Sequence, residues 1–173
     1  GRYFIHTWKK AEAGTRRNPA LTDTGNAERF AERFQDELIY VTKWKCWLHW
    51  NGIRWTRINE RISEFAVVIA KSIFHELEGV NNPDRQKNIS NWAINSQSVF
   101  RLEAMVKVAR AKLIIEPDQL DTDPWLLNCR NGMLDLKQGK LLPHDPKKFL
   151  SNLCDVAEKL FRIVWEEKFF HSW

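Results

Sequence analysis

The chain has 173 residues, 43% hydrophobic and 28% charged, with nine Trp and ten Phe, which is enough apolar content to bury a core and too much for a disordered segment. Its net charge is +5 and its isoelectric point near 9.2, a modest excess that suits phosphate backbones or acidic partners and suits a solvated helix face equally well. No apolar run is long enough to span a bilayer, no signal peptide is recognisable, and the length fits one domain with an appended element.

In chain order, residues 2–13 read as a short helix closed by Gly14, followed by the basic stretch GTRRNPAL; together residues 1–21 form a basic arm or linker. The chain begins at Gly1 rather than Met, as expected of a piece of a longer protein. A helix follows in LTDTGNAERFAERFQDEL, with Thr22, Asp23 and Thr24 as candidate caps and Ala27, Phe30, Ala31 and Phe34 as its apolar stripe. In IYVTKWKCWLHWNGIRWTRI, Asn51-Gly52 signals a hairpin turn between β-branched and aromatic flanks. Strand alternation puts Trp44, Cys46, Leu48 and Trp50 on one face and Trp47 with His49 on the other. Residues 59–78 form a second helix with Ile62, Phe65, Ala66, Ile69 and Ile73 inward. Asn82 caps a third helix that has Pro83 at its first position, and Ser98 starts a fourth through Leu102, Met105, Val106 and Ala109. KLIIEPDQLDTDP reads as loop with a short strand. GMLDLKQGKLL reads as a small hairpin, with turns at Asn131-Gly132 and Gln138-Gly139 and an end at Pro143 and Pro146. Residues 147–173 read as one more helix. The expected fold class is α+β, a mostly helical domain with two small β-hairpins.

The chemistry is mostly negative. No GK[ST] turn opens a helix, so this chain alone is not expected to hydrolyse ATP. Cys46, Cys129 and Cys154 are far apart and odd in number, which reads as reduced thiols in an intracellular protein, and the five His are too scattered for a metal cluster. Asp121 and Asp123 have two readings: a divalent-metal pair for nucleotidyl transfer, or a turn that caps and orients Trp125. Positive charge concentrates at residues 1–20 and 84–112, whereas 113–146 is acidic. Arg16, Arg17, Lys87, Arg101, Lys107, Arg110 and Lys112 are therefore the expected phosphate contacts. The Trp cluster is interleaved with Lys43, Lys45, Arg54 and Arg57, a pattern that can stack bases or pack a core. Trp44 and Trp50 are assigned to the core, and Trp47 and His49 to base stacking.

The segments TDTGNAERFAERF, WLHWNGIRW, SQSVFRLEAMVKVAR and LDTDPWLLNCRNGMLDLKQGKLLPHDP, in that order, resemble the accessory domain that precedes the superfamily 3 helicase in phage, plasmid and poxvirus primase–helicases. The resemblance covers about residues 22–146; residues 147–173 depart from the family pattern, and residues 1–21 match nothing recognisable. It implies a non-catalytic accessory domain that supports DNA replication, with ATP and magnesium belonging only to a helicase module outside this chain. The implied partners are single-stranded or forked DNA and the primase and helicase modules, with self-association left open, no membrane, and a cytoplasmic setting in a bacterial or phage-infected cell. It also implies that Asn51, Gly52, Asp121, Asp123, Pro124, Trp125, Asn128, Asn131, Gly132, Asp135 and Gly139 serve architecture: the asparagines satisfying turn backbones, the glycines supplying turn conformations, and Trp125 plugging the hairpin onto the helices. Two rivals remain: a protein-interaction module without DNA contact, and a metal-dependent nucleotidyltransferase using Asp121 and Asp123.

Overall fold

A computed structural model describes residues 19–155. They form an α+β domain, in which the first helix, α1 (Asp23–Phe34), starts where the sequence places it. Thr22 is extended and its hydroxyl accepts the Gly25 N–H at 3.0 Å, satisfying one of the donors a helix start leaves open. Gly25 is required for space: a Cβ there would lie 2.0 Å from the Ala20 carbonyl oxygen of the incoming chain.

Strands β1 (Leu38–Val41), β2 (Cys46–Trp50) and β3 (Trp55–Arg57) form an antiparallel meander, and β4 (Ile114–Ile115) joins β1 in parallel to give the order β3-β2-β1-β4. Between β3 and β4 lie α2 (Ile62–Ser72), flanked by 3-10 turns, then α3 (Pro83–Asn95) and α4 (Val99–Ala109). Asn82 caps α3 as expected, its side chain accepting the Arg85 N–H at 2.9 Å. Ser98 precedes α4 without a side-chain cap bond. A second sheet, β5 (Leu126–Cys129), β6 (Gly132–Asp135) and β7 (Lys140–Leu142), is an antiparallel meander. The expected β6–β7 hairpin is present; β5, in which Asn128 interrupts the apolar pattern, was missed.

Both faces of the first sheet are covered. Helices α1, α2 and α4 close one face around Phe30, Phe34, Leu38, Trp47, Phe65 and Met105. Ile115, Leu120 and the half-buried Phe149 close the other over Val41, Leu48 and Trp55. Each such side chain contributes about 1.5–3 kcal/mol when fully buried. Polar residues fix how the helices meet. The fully buried Asn26 side chain donates to Ser96 Oγ at 2.9 Å and accepts the Trp92 indole N–H at 3.0 Å, tying α1 to the end of α3. Arg29 donates two bonds to the Glu76 carboxylate, at 2.6 and 2.9 Å, and others to the carbonyls of Pro19 and Ala20.

The two sheets are stapled by the chain that leaves the domain. Pro146–Lys148 make a single 3-10 turn, Phe149 ends it at φ 49°, and residues 150–155 run as an extended strap. The helix expected from residue 147 therefore does not begin there; its remainder, like the helix expected at 2–13, lies outside the described residues. Along the strap, the Trp55 N–H donates to the Leu150 carbonyl at 2.9 Å and the Cys154 N–H to the Asn128 carbonyl at 2.7 Å.

Candidate nucleic-acid interface

Two of the family-like signature residues, Asn128 and Asp121, hold this stapled region. Asn128 is buried and its amide donates to the carbonyls of Ile53 and Asn152 at 3.0 and 3.1 Å, so it joins three distant segments rather than satisfying a local turn. The Trp55 indole donates to the Pro146 carbonyl at 3.0 Å. Asp121 sits at φ 52° and its carboxylate accepts from the backbone and side chain of both Ser151 and Asn152. Asp123 instead accepts the Trp125 N–H at 3.0 Å. Asp121 thus holds the strap, and only Asp123 caps the turn at Trp125; among the described residues no group of three or more acidic, His or Cys side chains is placed to hold a metal.

Asn51 accepts the N–H groups of Ile53 and Arg54, and Gly52 (φ 92°) completes a four-residue loop between the paired Trp50 and Trp55. Asp135 caps Lys137 and Gln138 in the loop that Gly139 closes at φ 63°. Asn131 is exposed in the two-residue connection before Gly132, and Pro124 is exposed beside Trp125. Trp125 does not plug the hairpin: it is 48% exposed, with Lys137 over its ring at 5.3 Å.

The assignment of the Trp cluster holds for Trp50, which packs against the core beside Trp55, and fails for Trp44 and Trp47. Trp47 is only 3% exposed and packs among Phe30 and Tyr40 at ring separations of 5.9 and 5.3 Å, so it presents no surface to a base. His49 is half-buried against Phe65, and burial holds its imidazole pKa below the usual range, Glu37 opposing this and Arg61 adding to it. Trp44, assigned to the core, is 42% exposed. The reason is local. Strand β2 begins at Cys46, and Lys45 at φ 50° makes the Thr42–Lys45 segment a turn, so alternation does not reach Trp44.

That turn creates the most distinctive surface of the described residues. Trp44 and Arg57 lie between two shallow grooves of about 360 and 330 Å³. The first is lined by Tyr40, Lys45, Asn59, Glu60 and Arg110 among others, and the second by Arg54, Thr56 and Ser151. The Arg57 guanidinium lies over the Trp44 ring at 5.3 Å and that of Arg110 over Tyr40 at 5.0 Å. Such cation–π contacts preorganise the cations while leaving N–H donors directed outward. Cys46 lies at the floor, its thiol pKa pushed up by burial against the opposing pull of Arg57, which makes it a poor nucleophile.

The expected phosphate contacts divide. Arg110 joins the groove. Arg101 is committed to structure, bonded to Asp23 at 2.7 Å and stacked over Trp92 at 4.3 Å. Lys112 lies 3.8 Å from Glu28. Lys87 and Lys107 are exposed on α3 and α4, and Arg16 and Arg17 lie outside the described residues. Lys45, Arg54 and Arg57, read in the sequence as cations interleaved with Trp, converge here, and that convergence was not legible.

Residues 27–157 match the protein-family model described as D5 N terminal like. The chain belongs to the D5 N terminal like family. This is the N-terminal domain of D5-like phage and plasmid primase–helicases. The D5 N terminal like match continues past Pro146 through the strap. Comparison with curated proteins returns no match. No helix among the described residues is long and apolar enough to cross a membrane.

Proposed function

We propose that this chain is a non-catalytic accessory domain of a phage or plasmid primase–helicase, and that it contacts DNA through the Trp44 groove. The observation that carries this reading is the convergence of Lys45, Arg54, Arg57 and Arg110 around exposed aromatic surface with a single carboxylate, Glu60, among the lining residues. Cations at this density attract phosphates whatever the base sequence, and binding releases counterions. In this reading the primase and helicase modules of the parent protein are the covalent partners, and ATP and magnesium are handled by the helicase.

Fluorescence anisotropy of a labelled oligonucleotide, titrated with the full chain between 50 and 200 mM salt (on the order of the range over which backbone contacts respond), tests the proposal. Binding that weakens steeply with salt supports it; absence of binding at low salt overturns it.

A second reading rests on one specific surface. Ile94, Val99 and Phe100 are exposed around the α3–α4 corner, Phe100 at 77%, which favours a contact with another protein module there. That contact is compatible with the DNA groove on β2 and β3. A homo-oligomer using the same corner predicts concentration-dependent mass that Phe100→Ser abolishes.

A further inference from the structure

We propose that Trp44 is a stacking platform for one unpaired base, so that the groove selects single strands over duplex. This rests on the DNA-contact reading and goes beyond it by naming the form of nucleic acid and the residue that discriminates it.

The argument begins with what the groove offers besides charge. A duplex presents phosphates, and surface cations alone serve it as well as a single strand. An unpaired base also presents an apolar face, and only an accessible aromatic ring uses that face. Trp44 is the indole that supplies one here: it stands in a turn, is partly exposed, and borders both grooves. Its neighbour Trp55 is buried, with its indole N–H already donated to Pro146. The Arg57 guanidinium lies over one face of the Trp44 ring, so a base stacks on the opposite face with a cation already held across the ring. Lys45 and Arg110 line the first groove and Arg54 the second. A strand lying across Trp44 therefore meets cations before and after the stacked base.

The other aromatic of the first groove is not equivalent. Tyr40 is half-buried and packed edge-on against Trp47 at 5.3 Å, so less of its ring is open than that of Trp44. It is a wall for the groove and leaves Trp44 as the single platform, so the site takes one stacked base.

Three labelled probes of equal length separate charge from stacking: oligo-dT, a duplex, and an abasic sugar–phosphate strand with the same charge and no bases. The full chain should bind oligo-dT about tenfold more tightly than the abasic strand at the same salt, the scale of one base–aromatic stack. Trp44→Ala should erase that difference, while Trp44→Phe, which keeps a ring, should retain most of it. A circular dichroism spectrum of Trp44→Ala that matches that of the unaltered chain shows that the variant is folded. Equal binding of oligo-dT and abasic strand by the unaltered chain, or a Trp44→Ala variant that keeps the difference, overturns the platform while the DNA-contact reading stands. Failure of the unaltered chain to bind any of the three removes both.

Discussion

Replacing Asp121 probes the staple that holds the outgoing chain. Its carboxylate accepts four hydrogen bonds, two from Ser151 and two from Asn152, including those from Ser151 N at 2.8 Å and Asn152 Nδ2 at 3.0 Å. Bonds to a charged acceptor are worth about 1.5–3 kcal/mol each, but these four share one group at a half-exposed site and do not add. We predict a loss of about 3 kcal/mol for removing the carboxylate. The backbone adds a separable contribution, since φ is 52° and an alanine held left-handed costs roughly a further 1 kcal/mol. Asp121→Ala should therefore cost about 4 kcal/mol, Asp121→Gly about 3, and Asp121→Asn, which keeps one acceptor oxygen and tolerates this backbone, on the order of 1.5–2. Urea unfolding of the set measures these differences; for a chain this size the Ala variant should also lose roughly 10 °C in Tm. An Ala variant within about 1 kcal/mol of the parent refutes the staple, and equal costs for Ala and Gly refute the backbone contribution. Magnesium should not shift the parent's midpoint; a shift that Asp121→Ala abolishes would restore the metal reading of Asp121 and Asp123.

Arg29→Lys should cost about 3 kcal/mol in the same assay, because an ammonium cannot reproduce the fork on Glu76 while also reaching the Pro19 and Ala20 carbonyls; a cost below about 1 kcal/mol contradicts that role. Gly132→Ala should be more damaging than Gly139→Ala: a Cβ at Gly132 meets the Leu142 carbonyl oxygen at 2.6 Å, whereas Gly139 faces open space and carries only the left-handed cost of about 1 kcal/mol. Reversal of that order by thermal unfolding would show that packing between β6 and β7 is looser than described. Burial lowers the folded-state pKa of His49, so the unfolded chain takes up the proton first. Its contribution to stability is intact above the ordinary imidazole value of about 6.5 and falls as pH drops toward the lower folded value. A His49→Asn variant should lose less stability than the parent between pH 7.5 and 5.5 (roughly the imidazole range); parallel profiles would contradict the burial argument.

The fold was legible wherever the signal was local. The Thr22 and Asn82 caps and the stripe of Phe30 and Phe34 announce α1 and α3 with little help from the rest of the chain. Tertiary pairing was not legible in the same way. β4 is two residues long and exists because Tyr40 and Val41 lie beside Ile114 and Ile115, and β5 depends on Asn128 reaching Ile53 and Asn152. The strap read as helix because its apolar residues fit a helical spacing, yet Asp121 and Asn128 capture its backbone first. At the candidate site, the residue types were visible in the sequence and their arrangement was not. Lys45, Arg54 and Arg57 stood in view among the tryptophans. Trp44 was misplaced because it lies before β2 and alternation assigns faces only within a strand, and Trp47 because helices cover the face it was correctly given.

The central claim, that DNA is held at the Trp44 groove and not by charge spread over the helices, is tested most directly by two variants with the same change in charge. One carries Lys45→Gln, Arg57→Gln and Arg110→Gln; the other carries Lys87→Gln, Lys107→Gln and Lys112→Gln. Anisotropy with a single strand across a salt series should show the first variant weakened at low salt, with the log–log salt slope reduced by about 2, as expected for three lost phosphate contacts at roughly 0.7 each. The second variant should keep nearly the parent slope. Equal losses in the two variants, or a larger loss in the second, would place the DNA contact on α3 and α4 and contradict the groove.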